Sequence, residues 1–375
     1  MFFISAFYNN KTIKMKKNYV LLFAVLFTAL NVQVANAKIW RVNNKSNFNG
    51  TTLYGDNFGG TSSYPVFTEI NNAVGWASVN NGDTLYVEGS STTYASATVT
   101  KKLAIIGPGY FLNENPKTSN DLLSAQIGSI SFNAGAAGSQ LIGVSIIHVF
   151  PYYVHLNTNN LTVKRCWIAD AVHIGSGVSD IYILENFFSN SQTSTALILD
   201  FPYDLTTDLI FNNNVCQKTL IWSGSIQQCN NNVFDGPANV LNLQFTTPEF
   251  SNNILKPTNA SVDINGGSKE KISYNIGTLS TQFGTANQNK VVSNMSSLFV
   301  SSGTTDGIYK LKSNSAGSNN GSDGTDRGAF GGSVVGNRYT LSGLAAIPVI
   351  YKLTTSGVAT QQSGLSVTIS ARTIK

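Results

Sequence analysis

Six short segments of this sequence can be aligned on one another, and they constrain the fold more than any other feature. Each segment has a central position, usually asparagine, with an apolar residue three places before it and another one place after it. The centres are Cys166, Asn186, Asn214, Asn232, Asn253 and Asn275. The earlier apolar residues are Val163, Ile183, Phe211, Cys229, Phe250 and Ile272, and the later ones are Trp167, Phe187, Val215, Val233, Ile254 and Ile276. An imperfect repeat of about 18–28 residues predicts a solenoid.

The repeat is too short for paired helices and its apolar columns are rich in Val, Ile and Phe, so it predicts coils of short β-strands. One coil cannot bury its apolar face, but a stack of coils can. Asparagine tolerates the left-handed conformation that a tight turn between strands requires. Stacked asparagine amides also hydrogen-bond from coil to coil. The sequence therefore predicts an asparagine ladder along one corner of the stack.

The N-terminus has the pattern of an export signal. Lys16 and Lys17 precede the apolar run Val20–Leu30, and Ala35–Ala37 supplies a cleavage site of small residues. Met15 is the more natural start. The alternative is an uncleaved membrane anchor, although the apolar run is shorter than the ~20 residues that span a bilayer. We expect export to the cell surface or medium, with the periplasm as an alternative, and no membrane span in the mature chain.

The net charge of +5 is misleading because part of it lies in the leader. The chain has 24 basic and 19 acidic residues, and the leader holds four lysines and no acid, namely Lys11, Lys14, Lys16 and Lys17. The mature chain therefore has 20 basic and 19 acidic residues, a balance of +1. Such a balance gives no electrostatic reason to expect nucleic acid as a partner.

The three cysteines are predicted to be unpaired. Cys216 and Cys229 stand two places after and three places before their coil centres, five strand positions apart, which corresponds to about 16 Å. A disulfide requires Cα atoms within about 7 Å. Cys166 occupies a coil centre itself, and with no Cys-x-x-Cys pair a metal site is not expected. We therefore expect small, buried, apolar thiols.

The stretches Phe67–Ala73, Gly82–Val87 and Lys101–Gly107 resemble the opening of right-handed parallel β-helix proteins of the pectin-lyase-like class. Tyr309–Leu311 and Asp326–Phe330 resemble the closing coil and tail of exported bacterial members. The resemblance implies an all-β, right-handed, single-stranded parallel β-helix with a short N-terminal capping helix. It is weak evidence for activity, because this fold carries lyases, hydrolases, adhesins and tailspikes.

The predicted organisation has five parts, which are a leader (1–37), an N-terminal cap (38–82), the parallel β-helix (83–312), a Gly/Ser/Asn-rich loop (313–337) and a C-terminal β-strand extension (338–375). Helical spacing predicts the capping helix within Phe67–Val79. The strands Ile347–Ile350 and Leu365–Ile369 are expected to fold back over the C-terminal coil and protect its edge.

The catalytic clusters of the resembled class are not visible in the repeats. Its lyases use acidic clusters that hold calcium together with a basic residue, and its hydrolases use paired carboxylates near a Gly-His-Gly element. Arg165 and Glu185 each precede a coil centre by one place, and we expect them to form an exposed ion pair between coils. Asp323 and Asp326 could hold calcium, although such a stretch is more often a turn. No other cofactor or metal is expected.

Histidine and tyrosine supply the candidate site residues. His148, His155 and His173 lie in one window with Asp170, and a His/Asp cluster suits acid–base chemistry. The positions of the histidines relative to the coil centres differ, so the sequence does not predict that they converge. Asp170 and His173 are the catalytic candidates.

Two loops share a Phe-Pro-Tyr core, and their residues Tyr152, Tyr153 and Tyr203 are candidate sugar platforms. The alternative is that these rings pack on the flank of the coil. Three functions remain open. They are a glycan-binding or cell-surface protein without a recognisable catalytic cluster, a polysaccharide lyase or glycoside hydrolase with an unfamiliar active site, and a structural scaffold. The sequence leaves the oligomeric state open.

Overall fold

The computed structural model describes residues 37–45, 54–55, 60–147, 153–189, 198–199, 208–236, 242–265, 272–300, 302–334, 336–360 and 364–373. Among these residues the chain winds through three parallel sheets in a fixed order, so the fold is a parallel β-helix. One coil, for example, runs through Val154–Leu156 in sheet 2, Leu161–Lys164 in sheet 1 and Trp167–Ile168 in sheet 3. The next coil begins at Val172–Ile174, back in sheet 2.

The bounds of the strands follow this winding. Sheet 1 contains Ile39–Val42, Tyr54–Gly55, Val66–Phe67, Thr84–Val87, Ala104–Ile106, Gln140–Ile142, Leu161–Lys164, Ile181–Leu184, Leu209–Asn212, Phe250–Ser251 and Ile272–Ser273. Sheet 2 contains Ala97–Val99, Ile130–Phe132, Val154–Leu156, Val172–Ile174 and Ile198–Leu199. Two later strands, Asn242–Thr246 and Ser261–Asn265, pair in parallel with each other. Sheet 3 contains Ser145–Ile146, Trp167–Ile168, Phe187–Phe188, Val215–Cys216, Val233–Phe234, Ile254–Leu255, Ile276–Gly277 and Lys290–Val291. The long strand Leu220–Asn230 pairs with Asn242–Thr246 near its start, and with Leu209–Asn212 and Phe250–Ser251 of sheet 1 towards its end.

Two short helices accompany the sheets in the described part of the chain. The predicted capping helix forms over Ile70–Gly75, which is shorter than the predicted Phe67–Val79 because Phe67 already belongs to a strand. Its buried residues Ile70, Ala73 and Val74 pack into the main core. The second helix is Ser280–Phe283, and 3₁₀ turns lie at Met295–Ser297, Gly307–Tyr309 and Leu341–Gly343.

The asparagine ladder is confirmed, and it extends one step beyond the six aligned segments. Side-chain amides donate in series from Asn186 to Asn214, Asn232, Asn253, Asn275 and Asn289, with N···O distances of 3.0–3.2 Å. Each receiving oxygen also accepts the backbone N–H of the preceding centre, starting with Cys166 on Asn186 at 2.9 Å. All the ladder residues are buried.

The left-handed residue of the turn is one place before the ladder residue, so the prediction that one asparagine performs both tasks is wrong. Positive φ angles of 55–58° occur at the residues Arg165, Glu185, Asn213, Asn231, Asn252 and Tyr274. The side chain of the following residue is then free to enter the ladder. Asparagine is favoured in the left-handed conformation, yet Arg, Glu and Tyr adopt it here, because the stacked coils impose the same turn at every level.

The two apolar columns of the repeat face opposite sides of the coil wall. Residues three places before the centre enter the main core, where Phe188, Phe211, Phe234 and Phe250 stack with centroid distances of 6.0–6.5 Å. Residues one place after the centre point outwards and form a second core with Tyr110, Leu298, Phe299, Tyr309 and Tyr339. Successive side chains of a strand point to opposite faces, so this outer column needs a separate cover.

Residues 317–334 and 336–345, here called the C-terminal strap, supply part of that cover. The strap starts beside the last coils, where Arg327 Nη1 donates to Gln288 O at 3.0 Å, and ends beside early coils, where Tyr110 N donates to Ser342 O at 2.8 Å. At Gly328, φ is +80° and a Cβ atom would lie 2.9 Å from Ile254 Cδ1, so only glycine fits. The Gly-rich composition therefore reflects close contact with the coil.

The ion pair of Arg165 and Glu185 is buried, so the prediction of an exposed pair is wrong. Arg165 Nε donates to Glu185 Oε2 at 2.6 Å, and the two side chains are 2% and 1% exposed. Arg165 Nη1 also donates to Leu344 O of the strap at 2.8 Å, and Lys164 Nζ lies 2.9 Å from Glu185 Oε1. The strap covers this corner, and sequence reasoning did not foresee it.

Contrary to the prediction, the described C-terminal strands pair with each other and begin beside the early coils, not over the last one. Pro348–Thr360 and Gly364–Thr373 pair with each other as an antiparallel hairpin. The hairpin begins beside a loop of the early coils, where Asn120 N donates to Ile350 O at 2.9 Å. The strap has by then carried the chain back along the stack, which explains the position. The three cysteines are buried and free, as predicted.

Candidate functional site

Two neighbouring strands of sheet 2 place two imidazole rings side by side on the outer face of the coil. Val154–Leu156 pairs with Val172–Ile174 in a register that aligns His155 with His173. The flanking Val154, Leu156, Val172 and Ile174 are buried, so the histidines point outwards. Their ring centroids lie 5.0 Å apart. The stacking of coils thus creates a pair from residues separated by 18 positions.

Tyr153 completes a compact group with the two histidines. Its ring centroid lies 4.3 Å from that of His173 and 5.6 Å from that of His155. We call Tyr153, His155 and His173 the ring cluster. The three side chains are each partly exposed. The structure therefore unites Tyr153 and His173, which the sequence suggested for different roles, and adds His155.

A buried carboxylate, Asp170, acts on the ring cluster, and a buried lysine, Lys218, lies within range of that carboxylate. Asp170 is 2% exposed and lies in the turn between Trp167–Ile168 and Val172–Ile174. Desolvation, followed by the charge of Asp170, raises the pKa of Tyr153. Lys218 is 1% exposed in the equivalent turn two coils later. Burial lowers the pKa of Lys218, and the charge of Asp170 opposes this shift. Both effects indicate that Asp170 acts electrostatically on its neighbours.

Sequence reasoning missed Lys218, although the repeat contained a signal for it. Asp170 lies four places after the centre Cys166, and Lys218 lies four places after the centre Asn214. One column of the repeat therefore holds both charges.

The alignment of His155 with His173 is not visible in the repeat. The turn from sheet 2 to sheet 1 is shorter in the coil of His155 than in the coil of His173. Counting from the coil centres hid their alignment.

The ring cluster is chemically able to bind and to transfer protons. Tyrosine and histidine rings present apolar faces with polar edges, which suits contact with a sugar ring. A histidine can accept or donate a proton near neutral pH, and a neighbouring phenol can take the complementary part. The arrangement thus allows binding alone or binding with acid–base chemistry.

The other sequence candidates have different outcomes. Tyr152, Tyr203 and His148 lie outside the described residues, so the second Phe-Pro-Tyr loop stays a prediction. Asp323 Oδ1 accepts from the N and Oγ1 of Thr325 at 3.0 and 2.7 Å, which is the geometry of a turn. Among the residues that the structure describes, no group of three or more His, Cys, Asp or Glu side chains could hold a metal ion.

The fold defines the class as a parallel β-helix protein with a Tyr/His cluster on the outer face of one sheet. Comparison with protein-family models, with curated proteins and with solved structures gave no match to this chain. Across the described part of the chain, no helix has the length and apolar character needed to cross a membrane. Function must therefore be argued from the site itself.

Proposed function

We propose that this chain is an exported glycan-binding protein, and that the ring cluster on sheet 2 is part of its binding face. The observation that supports the proposal is the packing of Tyr153 against His173 at 4.3 Å on the outer face of two adjacent coils. Adjacent strands lie about 4.8 Å apart, so a pyranose ring is comparable in width to one coil. A polysaccharide lying across the coils would meet a ring at successive levels.

The packing of the rings also favours binding. Tyr153, His155 and His173 hold one another at centroid distances of 4.3–5.6 Å, so little side-chain freedom remains to be lost when a ligand arrives. Their strands are anchored by the buried residues between them. A preformed platform of this kind offers a ligand apolar ring faces with polar edges at a small entropic cost.

A panel of acidic and neutral polysaccharides tests the proposal. The protein is incubated with each polymer and run on size-exclusion chromatography, where a bound polymer co-elutes with it. We expect Tyr153→Ala to weaken retention about ten-fold, which corresponds to roughly 1.4 kcal/mol. Tyr182→Ala is the matched control, because Tyr182 points outwards from sheet 1 in the following coil. Equal retention by both variants and the unaltered protein would refute the assigned face.

A second function, cleavage of a polysaccharide, is supported by Asp170. This carboxylate is 2% exposed, and its charge acts on both Tyr153 and Lys218. In a proton-transfer reaction His173 would act as the base or acid, and Tyr153, on which the charge of Asp170 acts, would be its partner. The resemblance to pectin-lyase-like proteins is compatible with such chemistry.

The same chromatography separates the two functions, because cleavage shortens the polymer and binding alone does not. If a polymer is shortened, His173→Gln should abolish the shortening and Asp170→Asn should slow it, while the Asp170→Asn variant still co-elutes with the polymer after a short incubation. An unchanged rate in both variants would exclude this site as the catalytic one. A polymer that is retained at full length supports binding without cleavage.

A further inference from the structure

A basic cleft lies far along the chain from the ring cluster, between the C-terminal strap, the start of the hairpin and a loop of the early coils. It has a volume of about 310 Å³ and is lined by residues that include Asn115, Thr118, Lys310, Phe330, Thr340 and Arg372. Sites for small ligands are concave and combine apolar walls with a few polar groups. The composition of this lining meets that description.

The described residues that line the cleft include two positive charges and no carboxylate. Lys310 and Arg372 both line it. The nearby Asp306 is fully buried and already accepts hydrogen bonds from neutral donors. These are Asn115 Nδ2 at 3.0 Å, Ser342 N at 2.7 Å, Thr304 Oγ1 at 3.1 Å and Tyr339 Oη at 3.4 Å. Asp306 is therefore held by the wall, and no ion pair within the described residues joins it to either cation.

Arg372 supplies an independent observation that points to a ligand. Its Nε atom is buried, and it has no hydrogen-bond partner among the described residues. Arg372 belongs to the strand Gly364–Thr373, where it pairs opposite Val349. A buried donor without an acceptor costs free energy of about 1–3 kcal/mol, and native structures seldom retain one. An anionic ligand in the cleft would provide the acceptor.

The other walls favour an anion that is attached to a ring. Phe330 is partly exposed, and Lys310 Nζ lies 5.8 Å from its ring centroid. Leu344 adds a buried apolar surface. A guanidinium group binds a carboxylate through two parallel hydrogen bonds, whereas an ammonium group acts as a point charge. The cleft thus offers a guanidinium group with parallel N–H donors, a second positive charge and an aromatic face.

We propose that the basic cleft binds the carboxylate of an acidic sugar unit, with Arg372 and Lys310 on the carboxylate and Phe330 against the sugar ring. The preference for an anion comes from the cleft alone. The choice of a sugar as the carrier of that anion rests on the proposed function. The site is separate from the ring cluster, so each can fail without the other.

The test uses sodium glucuronate as the probe, with methyl glucoside as its neutral analogue and sodium acetate as the anion without a ring. Titration calorimetry measures the affinity, and the ¹H–¹⁵N signal of the Arg372 Nε–H group reports on the site directly. We expect glucuronate to saturate and to shift that signal. Methyl glucoside should not saturate, and acetate should bind at least ten-fold more weakly than glucuronate.

Variants then assign the contacts. We expect Arg372→Gln to weaken glucuronate binding at least ten-fold and Lys310→Gln to weaken it several-fold. Arg372→Lys keeps the positive charge but removes the pair of parallel guanidinium donors. This variant should therefore bind glucuronate more weakly than the unaltered protein, while the strand is preserved. Lys352→Gln is the matched control, because Lys352 is an exposed cation on the same hairpin, and its effect should stay within two-fold.

Three results would overturn the proposal. The first is a failure of glucuronate to saturate the unaltered protein, and the second is an equal affinity of the Arg372→Gln variant. The third is equal binding of acetate and glucuronate, which would remove the sugar from the assignment. Tyr153→Ala separates this site from the ring cluster, because it should weaken retention of a polymer and leave glucuronate binding unchanged.

Discussion

Replacement of Asn232 by alanine should be among the most destabilising single changes in the coil. Asn232 is fully buried in the middle of the ladder. Its Oδ1 atom accepts from the N and Nδ2 of Asn214 at 2.9 and 3.1 Å. Its Nδ2 atom donates to Phe211 O at 2.9 Å and to Asn253 Oδ1 at 3.0 Å. Alanine removes these four hydrogen bonds and a fifth, weaker one from Nδ2 to Cys229 Sγ at 3.5 Å.

The magnitude follows from the groups that lose a partner. The backbone N–H of Asn214 and the backbone C=O of Phe211 each lose a buried hydrogen bond, at about 1–3 kcal/mol apiece. The side-chain amides of Asn214 and Asn253 keep other hydrogen-bond partners, so the loss of their bonds to Asn232 costs less free energy. We therefore expect the free energy of unfolding to fall by about 3–5 kcal/mol. A change of this size is a large share of the stability of most domains.

Urea unfolding followed by circular dichroism measures the effect, provided that the slope of the transition is unchanged. Asn113→Ala is the matched control, because Asn113 is exposed, and its effect should stay within about 0.5 kcal/mol. Asn232→Asp keeps the acceptor and turns the donor into a second oxygen, so it should also destabilise the protein. A loss below about 1 kcal/mol for Asn232→Ala would refute the argument from hydrogen bonds.

Three further changes are predicted. Glu185→Ala leaves Arg165 buried without its carboxylate and should cost about 3–5 kcal/mol in urea unfolding, and a loss under 1 kcal/mol would contradict this. Asp180 is exposed with φ of 58°, so Asp180→Val should lower the thermal midpoint while Asp180→Gly leaves it nearly unchanged, and equal midpoints would argue against strain there. Burial raises the pKa of Cys216 from 9.0 to about 12, because the folded state favours the neutral thiol. This preference stabilises the fold fully below pH 9, and the stabilisation is lost as the pH rises towards 12. The urea midpoint should fall over that range, less steeply in Cys216→Ala, and a flat profile would exclude the effect.

The candidate site was predictable only in part. Tyr153, Asp170 and His173 could be selected from their residue types and their closeness in sequence. The pairing of His155 with His173 depends on which residues of successive coils share a level, and turns of unequal length conceal that from a simple count. Arg372 could not be linked to Lys310 from the sequence, because the strap that brings the hairpin to the early coils has no repeat of its own.

The sequence by itself determined the coil. A buried amide ladder and a column of inward apolar side chains recur at each level, and a local pattern of that kind has one consistent solution, a stack of short parallel strands. Tertiary structure decided what covers the outside. The apolar column that begins at Trp167 has the composition of a core in the sequence. In the structure it faces outwards, because successive side chains of a strand point to opposite faces. Only the path of the strap shows which distant residues bury that column, since contacts between segments far apart in the chain leave no local pattern.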